Sequence, residues 1–252
     1  MNCNNTNQKL GFDKFSECNY NLHWSFSNFN RMLMAAERVA QLPHSASVLE
    51  IGAGTSDLKN IVANNFGRDD IKFVRIDGDV KYKHDKEIDA VLDISNKAEW
   101  EILKNFTEEK YDAVVFMEVI EHIVKYMAYD IFANVSDILK SEGLMLFTTP
   151  TPPMEGKYED RVWPDDHENE FTFDEIYGII NKYFKIVKHI GWSLEEREYN
   201  EALEKDEFLM KLYGKLKGAF PESFIRALIA CAAPVEKNRQ VLMVCKKRRV
   251  AL

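Results

Sequence analysis

The chain has 252 residues, 46% of them hydrophobic, which is enough for one domain with a substantial core. Its formal net charge of −8 argues against strong non-specific binding to nucleic acid, which depends on Lys and Arg at the phosphates. No apolar run approaches the roughly 18 residues of a membrane span, so no membrane partner is expected. Scattered cysteines without Cys-x-x-Cys spacing predict reduced thiols in a cytoplasmic protein.

Residues 1–44 predict a polar tail followed by an N-terminal helix that ends at Pro43. Met32, Ala36 and Val39 form an apolar stripe along this helix. Its start is rich in large side chains, which predict either a lid over a ligand or a surface that packs against a sheet. These side chains are Tyr20, His23, Trp24 and Phe26.

The stretch 47–58, Ser-Val-Leu-Glu-Ile-Gly-Ala-Gly-Thr-Ser-Asp-Leu, predicts a buried strand, a tight turn and the start of a helix. Such a turn brings backbone N–H groups close to a ligand, and Gly52 and Gly54 leave room for it. Glu50 stands at the end of the strand. An acid there suits a ligand that carries a positive charge better than the pyrophosphate of a dinucleotide.

A second predicted strand, 72–76, leads into Asp77, roughly 20 residues after the glycine turn. An acid at this place can bind both hydroxyl groups of a ribose. Asp79 is the other candidate, and a simple turn aspartate before Gly78 is the structural alternative.

Predicted strands alternate with predicted helices along the chain and end in an antiparallel hairpin. We therefore expect an α/β fold: a doubly wound, Rossmann-like seven-stranded sheet, mostly parallel with an antiparallel last strand, and helices on both faces. The strands are predicted at 47–51, 72–76, 88–92, 111–117, 143–150, 184–192 and 239–247. The predicted divisions are the N-terminal segment 1–44, a core 45–193, a helical insertion 194–238, and the last strand with a basic tail, 239–252.

The pattern Glu-Ile-Gly-Ala-Gly-Thr-Ser at 50–56 resembles the first motif of class I S-adenosylmethionine (SAM) methyltransferases, with Ser56 in place of a frequent third glycine. The resemblance implies that Glu50 lies near the ammonium group of the cofactor and that Asp93 and Ile94 flank its adenine. Asp93 is equally suited to cap the helix that follows. The implied cofactor residues are Glu50, Gly52, Ala53, Gly54, Asp77, Gly78, Asp93, Ile94, Met117 and Glu118.

A second group of polar residues follows the fourth predicted strand, as Glu118-x-x-Glu121-His122. At the start of a helix these three side chains share one face and can converge. Their oxygen and nitrogen donors suit a divalent ion such as Mg²⁺, Mn²⁺, Fe²⁺ or Zn²⁺. His167, in a long polar loop after the fifth strand, is a candidate fourth ligand.

This spacing, with Asp-His-x-x-Glu-Phe-Thr at 166–172, looks like the metal-binding pattern of small-RNA 3′-terminal 2′-O-methyltransferases. It is also similar to the Glu-x-x-Glu-His of ubiquinone-biosynthesis O-methyltransferases. The resemblance implies metal ligation by Glu118, Glu121, His122 and His167. His122 has two further interpretations, a metal-free general base and a structural histidine.

The sequence thus predicts a SAM-dependent methyltransferase that modifies an oxygen of a small molecule or sugar-type metabolite, with catalytic residues Glu118, Glu121 and His122. The alternatives are 2′-O-methylation of an RNA 3′ end, N-methylation of a small molecule, and a SAM- or NAD-binding protein without this activity. Two further sets of residues are expected to matter only under particular alternatives. Tyr199, Phe208 and Tyr213 either line a substrate pocket or form core, and Lys157, Arg161 and Arg197 are a candidate RNA patch.

Overall fold

The computed structural model describes residues 22–106, 110–151 and 167–248, with side chains described from Phe29 onward. Several predicted features lie outside the described residues. They are the polar tail, the side chains of Tyr20, His23, Trp24 and Phe26, and both Lys157 and Arg161.

Within these ranges, seven strands form one sheet. Their bounds are β1 Ser47–Ile51, β2 Lys72–Asp77, β3 Ala90–Val91, β4 Tyr111–Met117, β5 Leu139–Pro150, β6 Phe184–Ser193 and β7 Gln240–Lys247. The order across the sheet is β3-β2-β1-β4-β5-β7-β6. Strands β1 to β5 pair in parallel, whereas β7 runs antiparallel to both β5 and β6. This confirms the predicted fold class, although β3 is shorter than expected.

Eight α-helices connect or flank these strands in the described part of the chain. They are α1 Leu22–Ala40, α2 Leu58–Phe66, α3 Lys97–Lys104, α4 Ala128–Ile138, α5 Phe173–Tyr183, α6 Glu196–Lys205, α7 Glu207–Leu216 and α8 Glu222–Ala232. A capping box begins α5, because Thr172 and Glu175 bond each other's backbone. None of these helices is long and apolar enough to cross a membrane.

The helices cover both faces of the sheet because alternate strand residues point to opposite sides. On one face, Val114 and Phe116 pack with buried residues of α3, α4 and α5. On the other face, Val48 and Val115 pack with the apolar stripe of α1 and with α2. The sheet is therefore buried on both sides, and its open edge for a ligand is the edge where the parallel strands end.

The segment directly after β4 is not the helix that the sequence predicts. Glu118 has a left-handed φ of 54°, and its N–H donates to the carbonyl of Thr148 at 3.0 Å, which extends the sheet ladder. Two short 3₁₀ turns follow, and α4 begins only at Ala128. The apolar spacing misleads because a 3₁₀ turn also buries residues three apart, here Ile120 and Ile123.

β5 begins at Leu139, four residues before the predicted start at 143, so the strand includes the Lys-Ser-Glu-Gly segment. Leu139 already pairs with Tyr111 of β4, and a register shift follows before the regular ladder resumes at Ala113. Lys140 is held by an ion pair of 2.8 Å with Asp112. The pairing of Lys140 with the neighbouring strand thus stabilises polar residues within the sheet.

The helices of the insertion pack around an apolar cluster of their own. Leu203, Leu209 and Ile225 are buried there, and Tyr199 is buried with them. Tyr213 is partly buried and packs against the same cluster, so both tyrosines contribute to the packing of the insertion. Phe208, in contrast, is 67% exposed.

Asn238 ties this helical insertion to the sheet. It is fully buried, its Nδ2 donates to the carbonyls of Ala230 and Pro234 at 3.2 Å, and its Oδ1 accepts the N–H of Ser193 at 3.1 Å. Gly191 makes room for it, since a Cβ there would lie 2.1 Å from the Asn238 side chain.

Replacing Asn238 by Ala should lower the free energy of unfolding by about 2–3 kcal/mol, because three buried or part-buried backbone groups lose their partner. Urea unfolding followed by circular dichroism measures this. Asn200→Ala, on the exposed side of α6, is the control and should change stability by less than about 0.5 kcal/mol. Equal values for both variants would contradict the role of Asn238.

Candidate active site at the carboxyl ends of the strands

The turn after β1 depends on two glycines in the left-handed region. Gly52 has a φ of 67° and Gly54 a φ of 45°, which glycine adopts without strain. The N–H of Ala53 donates to the carbonyl of Ile76 at 3.0 Å, so the turn is tied to the end of β2. A Cβ on Gly52 would lie 2.2 Å from Cγ2 of Val119, which leaves no room for a side chain between this turn and the segment after β4.

Asp77 holds the same turn from the end of β2. Its Oδ2 accepts the N–H of Gly54 at 2.8 Å, and its Oδ1 accepts the N–H of Asp79 at 2.9 Å. Asp79 itself caps the 3₁₀ turn that follows by accepting the N–H of Lys81. Asp77 therefore fixes the glycine turn, and its contact with a ribose stays a prediction.

Asp93 and Ile94 follow β3 at the same edge of the sheet. The helix cap of α3 is Asn96, whose side chain accepts the N–H of Ala98. The prediction that Asp93 caps this helix is therefore wrong; its Oδ1 accepts the N–H of Ser95 at 2.8 Å, which shapes the loop before the helix.

Two adjoining cavities lie along this edge. The larger, of about 680 Å³, extends from Asp77 to His122, and the smaller, of about 320 Å³, lies between the glycine turn and Arg31 of α1. Tyr82 and Glu118 line both cavities. All predicted cofactor residues line one or both: Glu50, Gly52, Ala53, Gly54, Asp77, Gly78, Asp93, Ile94, Met117 and Glu118.

Glu50 already has a partner inside the protein. It lies beside Arg75 in the pairing of β1 with β2, and its Oε2 is 2.9 Å from the Arg75 Nε. Both residues are buried. Burial raises the pKa of the Glu50 carboxyl, and the charge of Arg75 opposes that rise. The predicted contact with the cofactor ammonium thus competes with an internal ion pair.

Glu118 occupies the junction of the two cavities in its left-handed backbone conformation. Its Oε1 accepts the hydroxyl of Thr148 at 2.8 Å. Its Oε2 is 3.1 Å from Nη1 of Arg31 and 3.4 Å from Nε2 of Gln240. Three separate elements, α1, β5 and β7, therefore hold this carboxylate in place.

Three of the four predicted metal ligands come together. Donor atoms of Glu121, His122 and His167 all lie within 4.8 Å of one another. The two imidazole rings are 5.1 Å apart and nearly perpendicular, at 82°. Glu118 lies outside this group, since its carboxylate turns toward Arg31 and Thr148. The helix that was predicted to align Glu118 with the other donor groups is replaced by a 3₁₀ turn.

Neighbouring side chains orient two members of this group. The hydroxyl of Thr149 donates to Glu121 Oε2 at 3.0 Å, and Nδ1 of His167 lies 2.8 Å from Oε1 of the buried Glu170. The carbonyl of Glu121 accepts the N–H groups of Glu168 and Asn169, which brings the His167 loop to this place. Burial first, and the charge of Glu118 second, raise the pKa of the Glu121 carboxyl well above its usual value.

Sequence reasoning missed Arg31, Arg75 and Gln240, which all contact predicted site residues. A signal existed for Arg75, because an arginine inside an otherwise apolar strand requires a buried partner, and parallel register brings it beside Glu50. No local signal marks Arg31 or Gln240, because each reaches the site from an element distant in sequence.

Comparisons to known proteins agree with the fold. Coclaurine N-methyltransferase, solved with N-methylheliamine and SAH, superposes with a TM-score of 0.53 at 16% identity over 92% of this chain and 76% of its own. The N-methyltransferase NodS from Bradyrhizobium japonicum WM9, in complex with S-adenosyl-L-homocysteine (SAH), gives 0.53 at 12% identity over 96% of both chains. A SAM-dependent methyltransferase from Archaeoglobus fulgidus gives 0.53 at 16% identity, over 90% of this chain and all of its own.

These similarities show that the chain has the class I methyltransferase fold. The family model described as a methyltransferase domain matches residues 26–208, which is most of the chain. The chain therefore belongs to this family and is a SAM-dependent methyltransferase. No protein of curated function matches it in sequence.

Gly52→Ala should weaken SAH binding by about tenfold, or about 1.4 kcal/mol, because the new Cβ pushes the glycine turn and Val119 apart. Titration calorimetry with SAH measures this. Gly67→Ala is a matched control, with a similar φ of 64° but no atom within 4 Å of the added Cβ. The Gly67→Ala variant introduces a similar backbone strain without a steric clash. An equal loss of SAH affinity in the two variants would therefore contradict the steric argument.

Proposed function

We propose that this enzyme transfers the methyl group of SAM to an oxygen of a small molecule or sugar-type metabolite. We further propose that Glu121, His122 and His167 hold a divalent cation beside the acceptor. The proposal rests on the convergence of these three donor groups within 4.8 Å of one another. His122 also lines the larger cavity, which puts the group at the wall of the space that the predicted cofactor residues enclose.

The surroundings of the three donors fit a metal site. Histidines that bind metals commonly donate their other ring N–H to a carboxylate, which fixes the ring and its tautomer. Glu170, only 3% exposed, stands in this relation to His167. Thr149 gives Glu121 comparable support by donating to one carboxylate oxygen, which leaves the other oxygen available.

The donor types narrow the choice of metal. Two imidazoles and one carboxylate favour Mn²⁺, Fe²⁺ or Zn²⁺ over Mg²⁺, which prefers oxygen ligands and keeps several waters. Glu118 is not part of this set in our proposal, because it is engaged by Arg31 and Thr148.

Methyl transfer requires the acceptor oxygen, the methyl carbon and the sulfonium sulfur to lie in line. The walls formed by the glycine turn and by Glu118 would orient the cofactor for this displacement. A bound divalent cation would favour the ionised form of the acceptor hydroxyl. If no cation binds, His122 is the candidate base that takes the hydroxyl proton, since a neutral imidazole nitrogen can accept a proton.

The net charge of −8 favours a small molecule over RNA as the methyl acceptor, because RNA phosphates are bound by Lys and Arg. Arg197, the one described member of the predicted RNA patch, is paired with Glu198 at 2.9 Å and lies 4.0 Å from Glu201. RNA 2′-O-methylation remains the second candidate because of the three converging donors. N-methylation is the third, and two of the similar structures are N-methyltransferases.

Glu121→Gln and His167→Ala should each lower the affinity for Mn²⁺ by more than about tenfold, since even residues that only orient a ligand contribute this much. Titration calorimetry with MnCl₂ and the purified protein measures the affinity directly, apart from any activity. His44→Ala is the control, because this side chain is 85% exposed and distant in sequence from the site. Unchanged affinity in both site variants would contradict the proposed metal site.

The acceptor is best sought by incubating the enzyme and labelled SAM with fractionated metabolites and, separately, with small RNAs. Each assay is run with Mn²⁺ and with a strong chelator. We expect label in an O-methylated metabolite that disappears with the chelator. Activity that survives chelation would leave His122 as a metal-free base, and label only in RNA 3′ ends would replace the first candidate by the second.

A further inference from the structure

A cavity of about 350 Å³ lies at the end of the sheet opposite the candidate active site, between the first half of β5, the start of β6 and the end of β7. In the pairing of β5 with β7, Lys246 at this cavity lies opposite Leu144, and Gln240 lies opposite Pro150 at the active-site edge. Six residues of extended strand separate the two places, which puts them roughly 20 Å apart. Four cations and one acid line the cavity, namely Lys185, Lys246, Lys247, Arg248 and Glu142.

Two of these cations are neighbours across the sheet ladder. Lys185 of β6 lies directly opposite Lys246 of β7. Like charges at directly opposite positions repel each other and destabilise a sheet. Glu142 forms an ion pair with Lys246 and so compensates one of the two charges. Lys185 is exposed and has no carboxylate partner among the described residues.

The other two cations are held by uncharged groups. Nζ of Lys247 donates to the carbonyl of Leu139 at 3.2 Å. Nε of Arg248 donates to the carbonyl of Asn181 at 2.9 Å, and its Nη2 donates to the side-chain oxygen of the same residue at 2.6 Å. These bonds fix the direction of both side chains and leave their positive charges without a compensating carboxylate among the described residues.

The positive charge around Lys247 is reflected in its pKa. Burial lowers the pKa of this ammonium group and the charge of Lys110 lowers it further, whereas Asp137 opposes both effects. A nearby lysine of β5 behaves differently, because Lys140 forms an ion pair of 2.8 Å with Asp112. The cations that line the cavity outnumber its one acid by three, on a protein whose net charge is −8.

We propose that this cavity binds a compact anion that carries two or more phosphate groups. Each phosphate monoester has a charge of about −1.5 to −2 at pH 7, so two such groups match the excess of positive charge. The lysines act as point charges on the phosphate oxygens, and Arg248 adds a directional guanidinium donor. The volume of the cavity lies within the range of about 300–1,000 Å³ that small-molecule sites have.

The inference goes beyond the proposed methyl transfer, and it depends on neither the methyl acceptor nor a metal. It gives a role to the basic end of the chain, since Lys246, Lys247 and Arg248 supply three of the four cations. The phosphate groups belong either to a soluble molecule or to an anionic lipid headgroup, because both present the same oxygens. Nucleic acid is disfavoured, since it needs cations along the path of a strand, whereas these four surround a single cavity.

The test is titration calorimetry with sodium tripolyphosphate on the wild type and three variants. Lys185→Gln removes an exposed cation of the cavity, and Glu142→Gln removes its acid. Lys215→Gln is the control, because it removes an exposed lysine of α7 that does not line the cavity. Each titration is repeated with saturating SAH.

Tripolyphosphate should bind the wild type at one site. Lys185→Gln should weaken this binding by about fivefold or more, because a charge-assisted hydrogen bond is lost. Glu142→Gln should tighten it by about threefold, because a carboxylate that repels the anion is removed. Lys215→Gln and saturating SAH should both leave the affinity unchanged.

Sedimentation with lipid vesicles distinguishes the two sources of phosphate. One set of vesicles is pure phosphatidylcholine, and the other is an equal mixture of phosphatidylcholine and phosphatidic acid. Co-sedimentation with the mixed vesicles alone, lost in Lys185→Gln, assigns the cavity to a lipid headgroup. Tripolyphosphate binding without co-sedimentation assigns it to a soluble ligand.

Three results would overturn the proposal. The first is the absence of tripolyphosphate binding to the wild type. The second is an equal affinity of Lys185→Gln and Lys215→Gln, which would show that the anion responds to overall charge or binds elsewhere, for example at the proposed metal site. The third is a single-stranded oligonucleotide that binds more tightly than tripolyphosphate and is weakened by Lys185→Gln, which would make this surface a nucleic-acid contact.

Discussion

The site depends first on Arg75, a buried arginine in β2, the strand next to the edge strand β3. Its Nε pairs with Glu50 of the neighbouring strand, its Nη2 donates to the carbonyl of Ser56 at 2.8 Å, and its Nη1 donates to that of Glu87 at 3.0 Å. One guanidinium thus joins β1, the turn before α2 and the loop before β3. Loss of the Arg75 charge would leave Glu50 buried without this partner, at a cost of about 3–5 kcal/mol.

A second constraint is the close approach of two strand ends. The glycine turn and the segment after β4 touch at Gly52 and Val119, where not even a methyl group fits. Glu118 accepts an unfavourable left-handed backbone at this crossing, and its carboxylate is secured by three partners. Backbone strain of this kind persists only where surrounding contacts hold it, and it concentrates at functional sites.

The fold could be predicted from the sequence because alternating strands and helices leave few arrangements of a parallel sheet. The same reasoning located the cavity residues Gly52, Asp77 and Asp93, since parallel strands end at a common edge. Sequence reasoning did not predict the direction in which individual side chains point. A 3₁₀ turn buries residues with nearly helical spacing, so the orientation of Glu118 was misjudged. Arg31 was missed because the packing of α1 against the sheet decides which of its side chains meet the cavity.

The position of Gln240 has a consequence for how the enzyme folds during its synthesis. It is the first residue of the last strand, it contacts Glu118 across 122 positions of sequence, and β7 must insert between β5 and β6 to bring it there. Such a long-range pairing forms slowly, because a large loop has to close first. During synthesis on the ribosome, the junction of the two cavities therefore lacks its Gln240 contact until β7 has emerged, however well the earlier strands have folded.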